Sequence, residues 1–522
     1  MFSQLEDAWI FFKDKPELNT YLSNPISMLS QRSIDRRNRL KIPFDTKDAP
    51  IHSSYYNQIK NASGISVMAK SKWLNAVHVR GEKAVIDNLV TAFNFIKAIE
   101  FANKSYRSTI NPSENARKNN HLNKLDVLKT DFNYGVTNTQ VTMIKANYLH
   151  QQGFTGKGMH IAVFDAGFPN VQSLDAFKRL RTHNKLLGGY NFVTRKANFY
   201  NGHSHGTHVL SDIAGYIENK FVGTAPDASF YLFITEDVNN ETPLEESLWV
   251  EAAERADSLG VDIINTSLGY TTFDNPKYNY TYDDMNGSTT FISRGAEIGA
   301  SRGMMLVASA GNSGRKPWKY ISAPADAASV LAIGAVDAQG SIASFSSFGP
   351  TSDNRVKPDI LAHGQNVYMI NYNSDAPSLG SGTSLASPLI AGAIACLWQA
   401  FPNVSQVEML QKIRESADKY ENPTHQFGYG IPNFEKIFKS LSIKNIPNNN
   451  EVSCYPNPVK KILFINTKFN NATVSVINLL GLVIKEEQYT SNGINVSDLP
   501  TGMFILKIEK EGFSHKIKFV KK

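Results

Sequence analysis

Three residues of this 522-residue chain carry side chains that could share one reaction. Ser384 lies in Ser381-Gly382-Thr383-Ser384-Leu385-Ala386-Ser387-Pro388, a glycine-containing turn leading into a helix of small residues that include Ala391, Gly392, Ala393 and Ala395. Free N–H groups and the dipole at a helix start favour an anion, and a tetrahedral oxyanion is one. Pro388 is expected in the first turn, where a missing N–H costs nothing. Alone, such a serine reads as a helix cap. Asp165 ends the apolar run Ile161-Ala162-Val163-Phe164, a buried strand whose carboxyl end is where α/β sheets bind ligands. His205 opens His205-Gly206-Thr207-His208-Val209, the start of another helix. An Asp, a His and a Ser on three strand-to-helix junctions can converge on one sheet edge. Serine then attacks, histidine takes its proton, and aspartate holds the imidazolium in the right tautomer.

The elements that must position them alternate regularly. Strands are expected at 160–164, 229–233, 262–266, 304–309 and 330–335, and helices at 205–214, 244–258 and 295–302. That alternation implies an α/β domain with a doubly wound parallel sheet covered on both faces. Ahead of it, residues 8–103 follow the order βαββαβ of a ferredoxin-like α+β domain: strands at 8–12, 65–70, 73–79 and 95–101, with helices at 55–60 and 82–93. Residues 24–48, rich in Arg and Asp, are an insertion within it. Residues 452–522 hold short alternating strands with turn signals, the pattern of a small β-sandwich. The expected division is 1–105, a linker over 106–130, 131–440, a second linker over 441–451, and 452–522.

Composition narrows the function classes. The formal charge is +7, distributed as +8 over residues 1–130, −5 over 131–450 and +4 over 451–522. A nucleic-acid binder concentrates cations on one folded domain, whereas here the largest domain is acidic, so no nucleic-acid partner is expected. No apolar run approaches the roughly 18–20 residues of a membrane span, so no transmembrane segment is expected. The two cysteines, Cys396 in an apolar stretch and Cys454 beyond a linker, give no disulfide framework. The start, Met1-Phe2-Ser3-Gln4-Leu5-Glu6-Asp7-Ala8-Trp9, lacks the basic and long apolar regions of a secretory signal.

At these residues the chain resembles the subtilisin-like (subtilase) serine peptidases, whose three motifs occur in the order Asp, His, Ser. The resemblance spans about 131–440 and implies a triad of Asp165, His205 and Ser384. In the aspartate motif Ala166 stands where Thr is usual, which leaves the support around Asp165 open. Ala308-Ser309-Ala310-Gly311-Asn312-Ser313-Gly314 resembles the family's oxyanion segment, implying Asn312 as a donor beside the Ser384 N–H. Ser267-Leu268-Gly269 resembles the edge on which an extended peptide pairs. The family implies no cofactor for catalysis, and leaves room for structural calcium that the sequence does not locate.

Rival motifs explain less. A metal site on His203, His205, His208 and Asp212 leaves Ser384, Asn312 and Asp165 without a role. Gly153-Phe154-Thr155-Gly156-Lys157-Gly158 lacks the Ser or Thr and the following helix of a phosphate loop. The acid-acting sedolisins use Glu in place of His, against the full His205 motif. A catalytically inactive subtilase-fold binding module at the cell surface is the competing expectation. Such proteins usually lose one of the four catalytic positions, and all four are present.

The flanking segments add further resemblances. Ser71-Lys72-Trp73-Leu74-Asn75-Ala76-Val77 and the elements around it look like a subtilase inhibitory propeptide. Tyr455-Pro456-Asn457-Pro458, Ile477-Asn478-Leu479-Leu480-Gly481 and Leu499-Pro500-Thr501-Gly502-Met503-Phe504-Ile505-Leu506 resemble the sorting domain of type IX secretion substrates. Together they imply a secreted or surface-bound monomer of a Gram-negative bacterium, with type IX machinery and protein or peptide substrates as partners. Export requires a signal peptide, so the given start is expected to be trimmed or set downstream of the true one.

Overall fold

A computed structural model describes residues 5–106, 131–444, 453–465, 471–510 and 513–522. The linker expected over 106–130 lies outside these residues except for Tyr106, which ends a short 3-10 turn. The chain forms two compact units, Met1–Lys439 and Ser440–Lys522.

The first unit opens with the four strands β1 (Leu5–Phe12), β2 (Ile65–Ser71), β3 (Ala76–Glu82) and β4 (Ile96–Phe101). Their sheet order β2-β3-β1-β4 is that of the expected βαββαβ fold. Its helices are α1 (Leu18–Ser23), α2 (Gln31–Leu40), α3 (Ser53–Lys60) and α4 (Lys83–Ala92). Period-two alternation splits β1: Ala8, Ile10 and Phe12 join Ile59, Ile86 and Leu89 of the helices, while Trp9 joins the larger core beyond. The strand expected at 73 begins only at Ala76. Residues 72–75 are a turn, with Asn75 at φ 50° and the Leu74 N–H donating to Ser71 Oγ at 3.0 Å.

The larger part carries β5 (His160–Asp165), β6 (Leu186–Asn191), β7 (Tyr216–Ile217), β8 (Phe221–Val222) and β9 (Ser229–Ile234). It continues with β10 (Ile263–Thr266), β11 (Met305–Ser309), β12 (Val330–Val336), β13 (Ile360–His363), β14 (Gln365–Ile370) and β15 (Pro377–Ser381). Seven of these form one sheet in the order β13-β12-β11-β10-β5-β9-β6, with every pair parallel. From β5 the chain goes to the edge strand β6 and returns to β9 between them, and then, from β10, builds outward on the other side. The switch point therefore lies between β5 and β10, where such sheets open a crevice at the strands' carboxyl ends.

The covering helices are α5 (Asn138–Met143), α6 (Ala146–Gln151), α7 (Lys178–Thr182), α8 (His205–Ala214), α9 (Pro243–Leu259), α10 (Phe291–Ser301), α11 (Thr383–Ala400), α12 (Gln406–Ser416) and α13 (Phe434–Lys444). Helix α10 starts four residues before the expected 295, where Thr290 caps it by accepting from the Ser293 N–H. Helix α13 runs through Lys444, so the linker expected from 441 begins as helix, and its remainder falls outside the described residues. Helix α11 is long and apolar enough to cross a membrane, contrary to the expectation that no run is. It is 89% buried inside the protein, as a core helix is.

The second unit pairs a three-stranded sheet with a four-stranded one. The strands are β16 (Cys454–Tyr455), β17 (Ile462–Ile465), β18 (Thr473–Ile477), β19 (Val483–Gln488), β20 (Ile494–Asn495), β21 (Gly502–Lys510) and β22 (Phe513–Lys521). Their orders are β16-β17-β20 and β19-β18-β21-β22, around Leu463, Val474, Leu506 and Phe519. Cys396 and Cys454 are both free and buried.

One buried carboxylate ties the rim of the large sheet together. Asp359 accepts from the Ala332 N–H at 2.7 Å, Lys357 Nζ at 2.8 Å and Arg414 Nε at 2.8 Å. Burial works to raise its pKa, but Arg414, Lys357 and these hydrogen bonds together hold it below the ordinary carboxylate value. Stability from such a group is present above the unfolded pKa and is lost as pH falls through the depressed folded one. Asp359→Asn is therefore expected to cost about 3–5 kcal/mol, by leaving Lys357 buried without its counter-charge. Thermal denaturation at neutral pH should show a midpoint drop, and an unchanged midpoint would mean that the cluster adds nothing.

Candidate active site

Parallel pairing puts the ends of β5, β10 and β11 on one edge, with Phe164 opposite Thr266 and Thr266 opposite Ala308. Helices α8 and α11, which pack against each other, begin at that same edge with His205 and Thr383. The sheet thus brings Asp165, His205, Ser267, Asn312 and Ser384 to one place from five separate segments.

Asp165 is completely buried. Its Oδ1 accepts from His205 Nδ1 at 2.8 Å and from the Ala166 N–H at 2.8 Å, while Oδ2 lies 3.0 Å from the same imidazole nitrogen. Support for the carboxylate therefore comes from backbone, and Ala166 supplies it without a hydroxyl. The contact assigns the His205 proton to Nδ1 and leaves Nε2 as the basic nitrogen. Burial works to lower the His205 pKa, but the Asp165 charge and hydrogen bond outweigh it and raise the pKa above 6.5. His208, one turn on, is pushed down to about 4 by burial and by His205, and its ring packs edge-on against Tyr372. His203 Nδ1 accepts from the His205 N–H at 3.2 Å.

Ser384 is the second residue of α11, with 8% of its surface exposed. Pro388 is not in the first turn, as expected, but one turn inside the helix. Its missing N–H deprives the Ser384 carbonyl of an i+4 partner. Ser267 Oγ fills the gap, donating to that carbonyl at 2.9 Å and lying 3.1 Å from Ser387 Oγ. The Ser267 side chain is thus committed to holding α11 in place. Among the described residues, no hydrogen bond uses the backbone of Leu268 or Gly269, and this edge stays open to an extended chain.

Asn312 Oδ1 accepts from both the N–H and the hydroxyl of Thr383, at 2.9 and 3.0 Å. Thr383 Oγ1 in turn accepts from the Gly311 N–H at 3.2 Å. Thr383 therefore orients the carboxamide, a task the sequence did not assign to it although it adjoins Ser384. A Cβ at Gly382 would stand 2.9 Å from Ser384 Oγ and 3.5 Å from Asn312 Nδ2. Both polar atoms flank a space that glycine alone leaves empty. Among the described contacts, none joins Ser384 Oγ to His205 Nε2, a bond that often tightens only around substrate.

The residues suggested as a metal site do not cluster as ligands. Among the described residues the only such group is Glu236, Glu241 and Glu245, with carboxylate oxygens within 4.8 Å of one another. Glu245 gives its two oxygens to the N–H groups of Asp237 and Thr242, and Glu236 accepts from Tyr270. Calcium takes six to eight oxygens. With Glu245 capping the helix and Glu236 accepting from Tyr270, only the Glu241 carboxylate is uncommitted among the described contacts, so this set does not fit one.

Three stretches of the chain match known protein families. Residues 156–430 match the subtilase family, residues 7–121 the Bacteroidota propeptide domain of S8 peptidases, and residues 453–522 a secretion system C-terminal sorting domain. Subtilisin DY of Bacillus licheniformis is 30% identical over 297 residues, which are 56% of this chain and 96% of that protein. Subtilisin Savinase of Lederbergia lenta is 31% identical over the same shares. The structure of the epidermin leader peptide processing serine protease from Staphylococcus aureus shares the fold. It covers 85% of this chain with a TM-score of 0.55 and 16% identity.

The electrostatics of His205 can be tested apart from any activity. With Asp165→Asn the raising charge is gone and burial is left, so the His205 pKa is expected to fall below 6.5. Titration of its ring proton by NMR in Ser384→Ala protein would show this. A value that stayed high would mean that Asp165 does not set the charge of His205.

Proposed function

This chain belongs to the subtilase family and is a serine-type endopeptidase, and from that premise we propose that Ser384, His205 and Asp165 are its catalytic triad. The observation that carries this is the 2.8 Å contact from His205 Nδ1 to fully buried Asp165, beside the α11 start that bears Ser384. Ser384 Oγ attacks the scissile carbonyl while its proton passes to His205 Nε2. The carbonyl oxygen becomes an oxyanion facing Asn312 Nδ2 and the Ser384 N–H, in the space beside Gly382. His205 then gives its proton to the departing amine, leaving an acyl-enzyme ester. Water, deprotonated by His205, attacks the ester and regenerates Ser384. The backbone of Ser267, Leu268 and Gly269 pairs with the substrate as an added strand. Presence of all four catalytic positions speaks against an inactive binding module.

The sorting and Bacteroidota propeptide domains indicate a secreted or cell-surface protein. We take residues 1–105 as the propeptide, 131–440 as the catalytic domain and 452–522 as the address read by type IX machinery, with a monomeric enzyme as the product.

Ser384→Ala should lower kcat on a peptide by about 10⁶-fold, the magnitude established for a relative in this family, with the thermal midpoint unchanged. Retained turnover that a serine reagent still blocks would overturn the nucleophile. The active base is neutral His205, so kcat/KM should fall on the acid side. Because its pKa is raised, that limb should lie on the alkaline side of 6.5. A maximum near pH 3–4 would instead fit the sedolisin type.

Deleting residues 452–522 should leave kcat/KM on a small peptide within about threefold, since few contacts cross such boundaries. Export should stop, with the protein held in the periplasm. A truncated enzyme still reaching the medium would remove the sorting role.

A further inference from the structure

The N-terminal domain meets the catalytic domain along two surfaces that adjoin at Ser258, whose hydroxyl accepts from Lys72 Nζ and whose carbonyl accepts from the Ser30 N–H. One is its sheet face, laid on α9 and α10. Trp9 stacks on Phe291 at 4.7 Å and donates to Ser247, and Glu254 accepts from Ser71 Oγ and the N–H groups of Lys72 and Trp73. The other is the insertion 24–48, which belongs to no strand or helix of the βαββαβ core.

This arm reaches the foot of the large sheet. The Ser30 N–H donates to the Ser258 carbonyl at 2.8 Å just before α2 begins. Arg37 joins Asp257 at 2.7 Å and Asp48 at 2.8 Å, and Arg36 joins Asp257 and the Val261 carbonyl. Arg37, Asp257 and Asp48 have no exposed surface, and Arg36 has 2%. Arg32 donates to the carbonyls of Gly260 and Gly158, each at 2.9 Å, and pairs with Asp262. From the enzyme side, Arg302 pairs with Asp45 at 3.0 Å. A Cβ at Gly260 would stand 2.7 Å from Arg32 Cγ and 2.9 Å from the Ser33 nitrogen, so the arm lies where only glycine permits. Gly158 precedes β5, Gly260 and Asp262 precede β10, and Arg302 precedes β11. The arm thus grips the amino ends of three neighbouring strands, while Asp165, Ser267 and Asn312 stand at their carboxyl ends. Strands of four to six residues set the two edges about 13–20 Å apart.

We infer that the 24–48 arm is a second docking site, which keeps the N-terminal domain on the enzyme after the chain between them is cut. Cutting residues 107–130 removes a tether and touches none of these contacts. Two sites on one domain hold each other at high effective concentration, so both must open together for release. Opening the arm breaks ion pairs made by fully buried charges, which salt screens little. Processing and release are then separate steps. The grip stands on the contacts alone, and its consequence for activity rests on the propeptide reading above.

The test uses the full Ser384→Ala chain with a recognition site for an added sequence-specific protease placed within 107–130. After cutting and dilution, size exclusion follows the N-terminal fragment. With the natural arm it should co-elute with the enzyme. Arg36→Met with Arg37→Met should speed its dissociation at least about 100-fold. Arg32→Ala, at a part-exposed residue, should speed it about five- to tenfold, and it decides the matter if the double variant fails to fold. Unchanged dissociation in the folded variants would overturn the inference. So would complete release by Trp73→Ala with the arm intact. In active protein the delay between junction cleavage and peptidase activity should shorten by the same factor. If the fragment leaves faster but the delay persists, the inhibitory reading fails and the grip stands.

Discussion

A carboxylate shut off from water must be compensated on the spot, and around Asp165 that requirement organises the site. Its partners are the next backbone N–H and one imidazole nitrogen. Meeting the first fixes the chain as it leaves β5, and meeting the second fixes where α8 begins. The same pairing sets the charge and tautomer of His205. One desolvated charge therefore couples strand end, helix start and proton position, so the chemistry cannot be loosened without loosening the fold.

The nucleophile's helix is located by a second compensation of the same kind. Pro388 strips the Ser384 carbonyl of its helical partner, and Ser267, just past the end of β10, supplies a hydroxyl. What looks like a defect in α11 thus becomes a tie between the helix that carries Ser384 and the strand edge beside it. Thr383 performs a parallel task, turning the Asn312 carboxamide so that its nitrogen faces the space beside Ser384. The His205 ring, the Asn312 carboxamide and the Ser384 backbone are each held by a neighbour from another segment, which is how a reactive geometry is kept before substrate arrives.

Docking of the N-terminal domain also turns on desolvated charge, although the overall balance of a basic domain on an acidic one describes it only loosely. Arg32, Arg36 and Arg37 meet Asp262 and Asp257 in the expected sense, whereas Glu6 meets Lys277 in the reverse one. The buried Glu254 carboxyl is pushed up to about 7 by burial, against the donors from residues 71–73 that favour its ionised form. Individual pairs at named positions, and not the summed charge, define how the domains meet.

The amino-acid sequence by itself determined the central elements and the residues of the candidate site, because both are written in short-range patterns. An unbroken apolar run made β5, small residues after a glycine turn made α11, and the short apolar run Ala8–Phe12 made β1, each buried as the pattern required. The motif residues Asp165, His205, Asn312 and Ser384 were legible for the same reason, since each sits at a junction that local sequence marks. Only the tertiary structure decided what those junctions do to one another. Leu186–Asn191 contains two glycines and becomes strand β6 only by pairing with β9. Trp73 looked like strand and became a turn lying on Glu254 of another domain. Ser267 was expected to offer its backbone to substrate, and its hydroxyl, given no task by the sequence, serves a carbonyl 117 residues away. The insertion at 24–48 carried no periodic signal that would place it, since its partners in the larger part lie more than 120 residues along the chain. Periodicity and motif are properties of neighbouring residues. Pairing between distant buried groups is settled only when the sheet brings its strand ends together.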